Sequence, residues 1–294
     1  MPGPSSPELL PPVIAVGELE DIDDPVLADV RWYLDGRSGH AAYLAGHVPG
    51  AIFVDLDEHL AAAPSADGRH PLPTSQRFAA SLGRLGVAES DTVVAYDDTG
   101  GMVAARLVWM LRSLGQQAAL LDGGIWCWPG ALDTAATFRP AVEVPARPWP
   151  DDLLADADAV TRAVASGVAV VDARAAERYR GDVEPVDARA GHIPGAANVP
   201  FATNLGPDGR FLSPDELRCR YATVGIVAGP DRPPADVEGR PILYCGSGVS
   251  ACHGLLAVER AGLGRARLYA GSWSAWSADP FRPVATGADQ LRDA

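Results

Sequence analysis

The feature that most constrains this chain is that it contains itself twice. YLAGHVPGAIFV, beginning at Tyr43, returns as ARAGHIPGAANV, beginning at Ala188, with Gly46 and Gly191 145 positions apart. TVVAYDDTGGMVAARLVWMLRSLG lines up with PILYCGSGVSACHGLLAVERAG, placing Tyr96 over Tyr244. Asp122-Gly123-Gly124 lines up with Ala270-Gly271-Ser272, and both of these pairs are offset by 148. Such a period is too long for a solenoid unit and suits duplication of a whole domain. A length of 294 residues accommodates two domains. Between the copies, ATFRPAVEVPARPWPDD carries Pro140, Pro145, Pro148 and Pro150, which favour extended backbone. The expected division is a first domain over 10–135, a linker over 136–152 and a second domain over 153–290.

Within each half, short β-branched runs alternate with helical patterns. VAVVDA around Val171, PILY before Cys245 and RARLYA around Leu268 read as buried strands, and ACHGLLAVERAG reads as a helix closing at Gly262. This alternation predicts an α/β fold in which each half is a mainly parallel central sheet flanked by helices. Lys and Arg total 24 against 38 Asp and Glu, a net charge of −14 that repels nucleic acid and anionic membranes. A small anionic ligand therefore needs a positive pocket built against the global field. The start lacks a basic region followed by an apolar stretch, and no apolar run approaches a membrane span, so a cytoplasmic protein without a membrane partner is expected. Cys127, Cys219, Cys245 and Cys252 are too sparse for a disulfide framework, and no paired CxxC suggests zinc.

The chemistry concentrates in PILYCGSGVSACHGLLA, where a strand runs into Cys245, a small-residue loop follows, and a helix opens near Ser250. Gly246 and Gly248 permit the backbone to curl so that successive N–H groups point inward, and the helix start adds unpaired amides and a positive dipole end. Amides that stabilise an anion favour a cysteine thiolate, and room for a second sulfur would let the same donors hold a persulfide. A buried structural cysteine is the bland alternative. The immediate succession of strand, Gly-rich turn and helix favours the reactive reading.

AGHVPGA at Ala45, AGHIPGA at Ala190, the CGSGVS loop, GSWSAW at Gly271 and the duplication together resemble the tandem rhodanese-domain sulfurtransferases, over nearly the whole chain. The resemblance implies two tandem rhodanese-like domains, with sulfane sulfur carried on Cys245 in the second. Asp97 occupies the matching position in the first domain, which is expected to be inactive. It implies a small anionic sulfur donor, an acceptor that is a thiol, cyanide or a thioredoxin-like protein, and no metal or organic cofactor.

CGSGV followed by Ser resembles the 3-mercaptopyruvate type, whereas thiosulfate enzymes place basic residues directly after the cysteine. In the mercaptopyruvate enzymes a serine, a histidine and an aspartate are proposed to move protons together, and the matching positions are Ser247, His70 and Asp57. Without the resemblance, Asp57 would be read as a helix cap and His70 as a loop histidine. The donor-binding arginine maps to Arg178, with Gly246, Gly248, Val249 and Ser250 forming the loop around the ligand. A second arginine of that family is replaced here by Asp187, and Arg189 is a candidate substitute. His47 and His192 read as turn-holding residues, and Trp126, Trp128, Trp273 and Trp276 as core or interface aromatics. A Cys-dependent phosphatase is disfavoured because Ala251 stands where its arginine belongs. Thiosulfate:cyanide transfer remains an alternative, as does a persulfide carrier or redox sensor in which Cys252 resolves Cys245.

Overall fold

The computed structural model describes residues 9–227 and 236–288, so the expected domain end at 290 lies outside the described residues. The first sheet contains β1 (Val13–Ile14), β2 (Val26–Asp29), β3 (Ile52–Phe53), β4 (Val93–Tyr96) and β5 (Ala118–Leu121). The second contains β6 (Leu154–Ala155), β7 (Val170–Asp172), β8 (Ala197–Asn198), β9 (Ile242–Tyr244) and β10 (Arg267–Tyr269). Their orders, β1-β5-β4-β2-β3 and β6-β10-β9-β7-β8, are the same order twice, and every pairing is parallel. The helices are α1 (Gly39–Ala45), α2 (Ser75–Leu85) and α3 (Ala104–Ser113) in the first half. The second half has α4 (Ala157–Ala165), α5 (Ala176–Arg180), α6 (Pro214–Ala222), α7 (Ser250–Arg260) and α8 (Ser272–Ala278).

Parallel strands covered on both faces need continuous apolar runs, and the central β4 and β9 are buried at every residue. The duplication extends to individual atoms. Arg31 and Arg174 each pair with the aspartate two residues earlier, Asp29 and Asp172, at 2.7 Å. Each also donates to the carbonyl of the glycine in its repeated turn, Gly46 or Gly191. His47 and His192 donate from Nδ1 to the carbonyls of Tyr43 and Tyr179, both at 2.8 Å, which is the turn-holding role read from the sequence.

Each sheet has a small core on its outer face, around Tyr96 and Leu121 in the first half and around Tyr244 and Trp273 in the second. The largest apolar cluster belongs to both halves, because α3 and α7 pack on each other between the sheets. Residues 134–150 form no helix or strand. They lie along α2, where the Val142 amide donates to Gly83 O at 3.0 Å and the Trp149 indole donates to Pro73 O at 2.8 Å. Trp273 and Trp276 are buried, but Trp126 is 77% exposed and its indole only donates to Asp98 O, which corrects its reading as a packed aromatic. No helix among the described residues is long and apolar enough to cross a membrane.

Candidate active site

β9 delivers Cys245 to the centre of the molecule, where it is 2% exposed. The loop after it is held from outside by the segment that opens α8. The carbonyls of Cys245 and Gly246 accept from the Trp273 and Ser274 amides at 2.9 and 2.8 Å. Ser272 makes this possible by standing in the left-handed region at φ +51°, costly for a residue with a side chain. Its hydroxyl is fixed at both ends, accepting from the Cys245 amide at 3.1 Å and donating to Tyr269 O at 2.8 Å. The Gly248 amide donates to Cys245 Sγ at 3.1 Å.

The two loop glycines serve different ends. Gly248 has φ +77°, and a Cβ there would lie 2.6 Å from Ala270 O. Gly246 is absent from the residues with positive φ, so the expectation that both glycines release the backbone is corrected. A Cβ on Gly246 would instead stand 3.0 Å from Arg69 Nη2 and 3.6 Å from Arg178 Nη1. Gly246 makes room for two guanidinium groups. Val249 is buried before the first turn of α7, and half-buried Ser250 opens that helix.

Ser247, His70 and Asp57 come together across the boundary between the halves. His70 Nδ1 lies 2.7 Å from Ser247 Oγ, and His70 Nε2 lies 3.3 Å from Asp57 Oδ1. Asp57 does not cap the local helical turn: Asp55 does, accepting from the Asp57 and Glu58 amides. The second oxygen of Asp57 accepts from the Trp32 indole at 2.9 Å, and that ring packs edge-on against His70. Burial lowers the His70 imidazole to about 4; Asp57 opposes this, and the guanidinium groups of Arg106 and Arg69 add to it. The ring is neutral at physiological pH. With a carboxylate at Nε2 the proton is assigned there, leaving the Nδ1 lone pair to accept from the Ser247 hydroxyl.

Arg178, on α5, donates to Glu184 at 2.6 Å and Asp187 at 3.2 Å. Asp187 also pairs with Arg69, the residue preceding His70. Two arginines from opposite halves thus flank Gly246, bridged behind by one carboxylate. The Nε atoms of both are buried without a hydrogen-bond partner among the described residues. Arg189 is not the substitute expected for the missing arginine. Its guanidinium donates to the carbonyls of Ser277, Arg282, Trp276 and Asp279, clamping the end of α8.

Sequence reasoning missed Arg69 and also Arg106, a fully buried arginine of α3 that donates to Gly248 O at 2.9 Å. Cys252 is buried, its thiol donates to Gly248 O, and burial pushes it up to about 12. Among the described residues no group of three or more His, Cys, Asp or Glu is placed to hold a metal ion.

The sister loop in the first half forms an amide nest around a side chain. Asp97, at the position of Cys245, is fully buried. One of its oxygens accepts from the Thr99 and Gly101 amides, and the other from the Val103 and Ala104 amides, at 2.8 to 3.0 Å.

The family model for the rhodanese-like domain matches residues 16–130 and 155–279. The chain is 41% identical to the probable 3-mercaptopyruvate sulfurtransferase of Pseudomonas aeruginosa, over 96% of its own length and 99% of that protein. It is 43% identical to the putative thiosulfate sulfurtransferase SseB of Mycobacterium tuberculosis, covering 90% and 92% of the two chains. Among solved structures, the 3-mercaptopyruvate sulfurtransferase from Leishmania major superposes with a TM-score of 0.75 at 31% identity. That match covers 93% of this chain and 76% of the other.

Proposed function

The chain belongs to the family of tandem rhodanese-domain sulfurtransferases, and from that premise we propose that Cys245 carries the transferred sulfur as a persulfide, with 3-mercaptopyruvate as donor. The observation that carries the donor assignment is the Ser247–His70–Asp57 chain. Attack of the Cys245 thiolate on the donor sulfur forms an S–S bond. In 3-mercaptopyruvate the C–S bond then breaks and its electron pair goes to C3, giving the enolate of pyruvate. The product needs a proton at C3, and the donor thiol must lose one. A hydroxyl backed by a neutral imidazole and a carboxylate can carry that proton. Thiosulfate releases sulfite with no proton transferred, so it makes no use of the relay.

Charge supports the same donor. Arg69 and Arg178 share Asp187, so the seat beside Gly246 is less positive than two free guanidinium groups and suits a single carboxylate better than a dianion. The buried Asp97 carboxylate supports the persulfide reading. Its oxygens are two bonds beyond Cβ, as the outer sulfur of a cysteine persulfide is, and four amides hold them. In the second half-reaction a thiol, thioredoxin-like protein or cyanide attacks the outer sulfur and the Cys245 thiolate is regenerated. A redox sensor resolved by Cys252 is disfavoured, because that thiol is buried and held protonated.

The test is kcat/KM for both donors in the wild type, Cys245→Ser and Ser247→Ala. Cys245→Ser should abolish both activities, while Ser247→Ala should reduce pyruvate release about 100-fold and spare thiosulfate turnover. Equal losses for both donors in Ser247→Ala would remove the relay, and with it the case for 3-mercaptopyruvate over the thiosulfate reading.

A further inference from the structure

Arg106 belongs to the half that has Asp97 at the position of Cys245, yet it is fully buried behind the Cys245 loop. Its Nη1 donates to Gly248 O at 2.9 Å, and its Nη2 donates to His70 O at 3.0 Å and Leu60 O at 3.4 Å. Its Nε is buried without a hydrogen-bond partner among the described residues. No carboxylate pairs with it there: the acidic groups acting on it are the thiols of Cys252 and Cys245. A buried cation whose fixed partners are neutral carbonyls is costly unless a negative charge arrives beside it. Cys252 does not supply that charge, since burial holds it protonated.

The pseudo-symmetric contact sharpens the contrast. Gly100 in the first half corresponds to Gly248 in the second, and its carbonyl accepts from His253 Nε2 of α7 at 3.1 Å. Each loop is therefore held at the same carbonyl by the other half's helix. Behind the loop that holds Asp97 on four amides stands His253, which burial lowers to about 3 and so keeps neutral. Behind the loop whose anion comes and goes stands a full positive charge.

We infer that Arg106 is the counter-charge for the anionic forms of Cys245, making the first half an electrostatic participant in sulfur transfer through a positioning residue. The inference rests on the reading of Cys245 as the sulfur carrier. The other charged or titratable groups around the loop are Arg69 and Arg178 beside Gly246, His70 behind Ser247, and Cys252 on α7, with Asp57, Glu184 and Asp187 behind them.

The experiment is the pH dependence of Cys245 alkylation by iodoacetamide, followed by mass spectrometry of its peptide, in wild type, Arg106→Lys and Arg106→Gln. It needs no turnover, so it stands apart from loss of sulfur transfer in Cys245→Ser. Arg106→Gln keeps a donor for Gly248 O and loses the charge. Its alkylation midpoint should rise by about one pH unit, about tenfold slower reaction at neutral pH, with the high-pH rate unchanged. Arg106→Lys should restore most of the shift. A midpoint unmoved in Arg106→Gln, or moved equally in Arg106→Lys, overturns the inference, because loop geometry alone would then explain the contact. If Arg106→Gln does not fold, the wild type decides: once mass spectrometry of the Cys245 peptide shows the added sulfur, the melting temperature should be higher than that of the unloaded protein, and a loaded protein with no rise overturns the inference.

Discussion

At the scale of single residues, the loop of the first half shows how this fold holds a buried acidic group. Asp97 accepts from four amides in a fully buried nest, and burial pushing its carboxyl upward is opposed by those same four bonds. Asp97→Asn would turn an NH₂ group toward two N–H donors and leave both unsatisfied. The expected cost is about 3 kcal/mol, read as a lower urea midpoint. An unchanged midpoint would mean the amides are satisfied without the carboxylate. Cys245 and its loop could be singled out in the sequence because a strand, glycines and a helix follow one another without a gap. Ser247, His70 and Asp57 were brought forward by resemblance alone. Arg69 and Arg106 could not be found in this way. One sits in a loop and the other inside an apolar helix, and only packing between the halves brings either to the loop that follows Cys245.

At the scale of elements, the unit that matters is β9, the loop and α7, closed from behind by α8. Two glycines separate its backbone requirements from its ligand requirements. Gly248→Ala forces a side chain into the left-handed region and drives Cβ to 2.6 Å from the Ala270 carbonyl, which cannot move without shifting β10 and α8. The variant should lose about 1 to 3 kcal/mol of stability. Gly246→Ala meets only the flexible ends of Arg69 and Arg178. It should melt close to the wild type, while KM for 3-mercaptopyruvate rises about tenfold as both guanidinium groups are pushed aside. Two variants with the same melting temperature would contradict this division. The longer elements could be read from the sequence because each half corroborates the other. The two-residue β1 and β6 and the five-residue α5 could not, since they are too short to carry a period and form only by pairing or packing.

At the scale of the whole molecule, the two halves share their largest apolar cluster, so neither can open without exposing the other's core. Unfolding should be a single transition, and groups at the interface should set its pH dependence. His253 lies in that interface, stacked on Phe211 and donating to Gly100 O across the boundary. Burial lowers it to about 3, with the Gly100 contact only partly opposing. In the unfolded chain the imidazole returns to its ordinary value near 6.5. Between those two values the unfolded state binds the extra proton, so the stability His253 contributes is complete above about pH 6.5 and falls away as the pH drops toward 3. At about pH 5 the loss from this one ring is about 2 kcal/mol. His70, lowered to about 4, loses stability in the same direction. His253→Gln keeps a donor for Gly100 O and removes the titration. Urea unfolding at about pH 7 and about pH 5 should therefore show a difference about 2 kcal/mol smaller in the variant than in the wild type. An equal difference in the two proteins would show that acid weakens the molecule through groups other than His253, His70 at the same seam being the first of them.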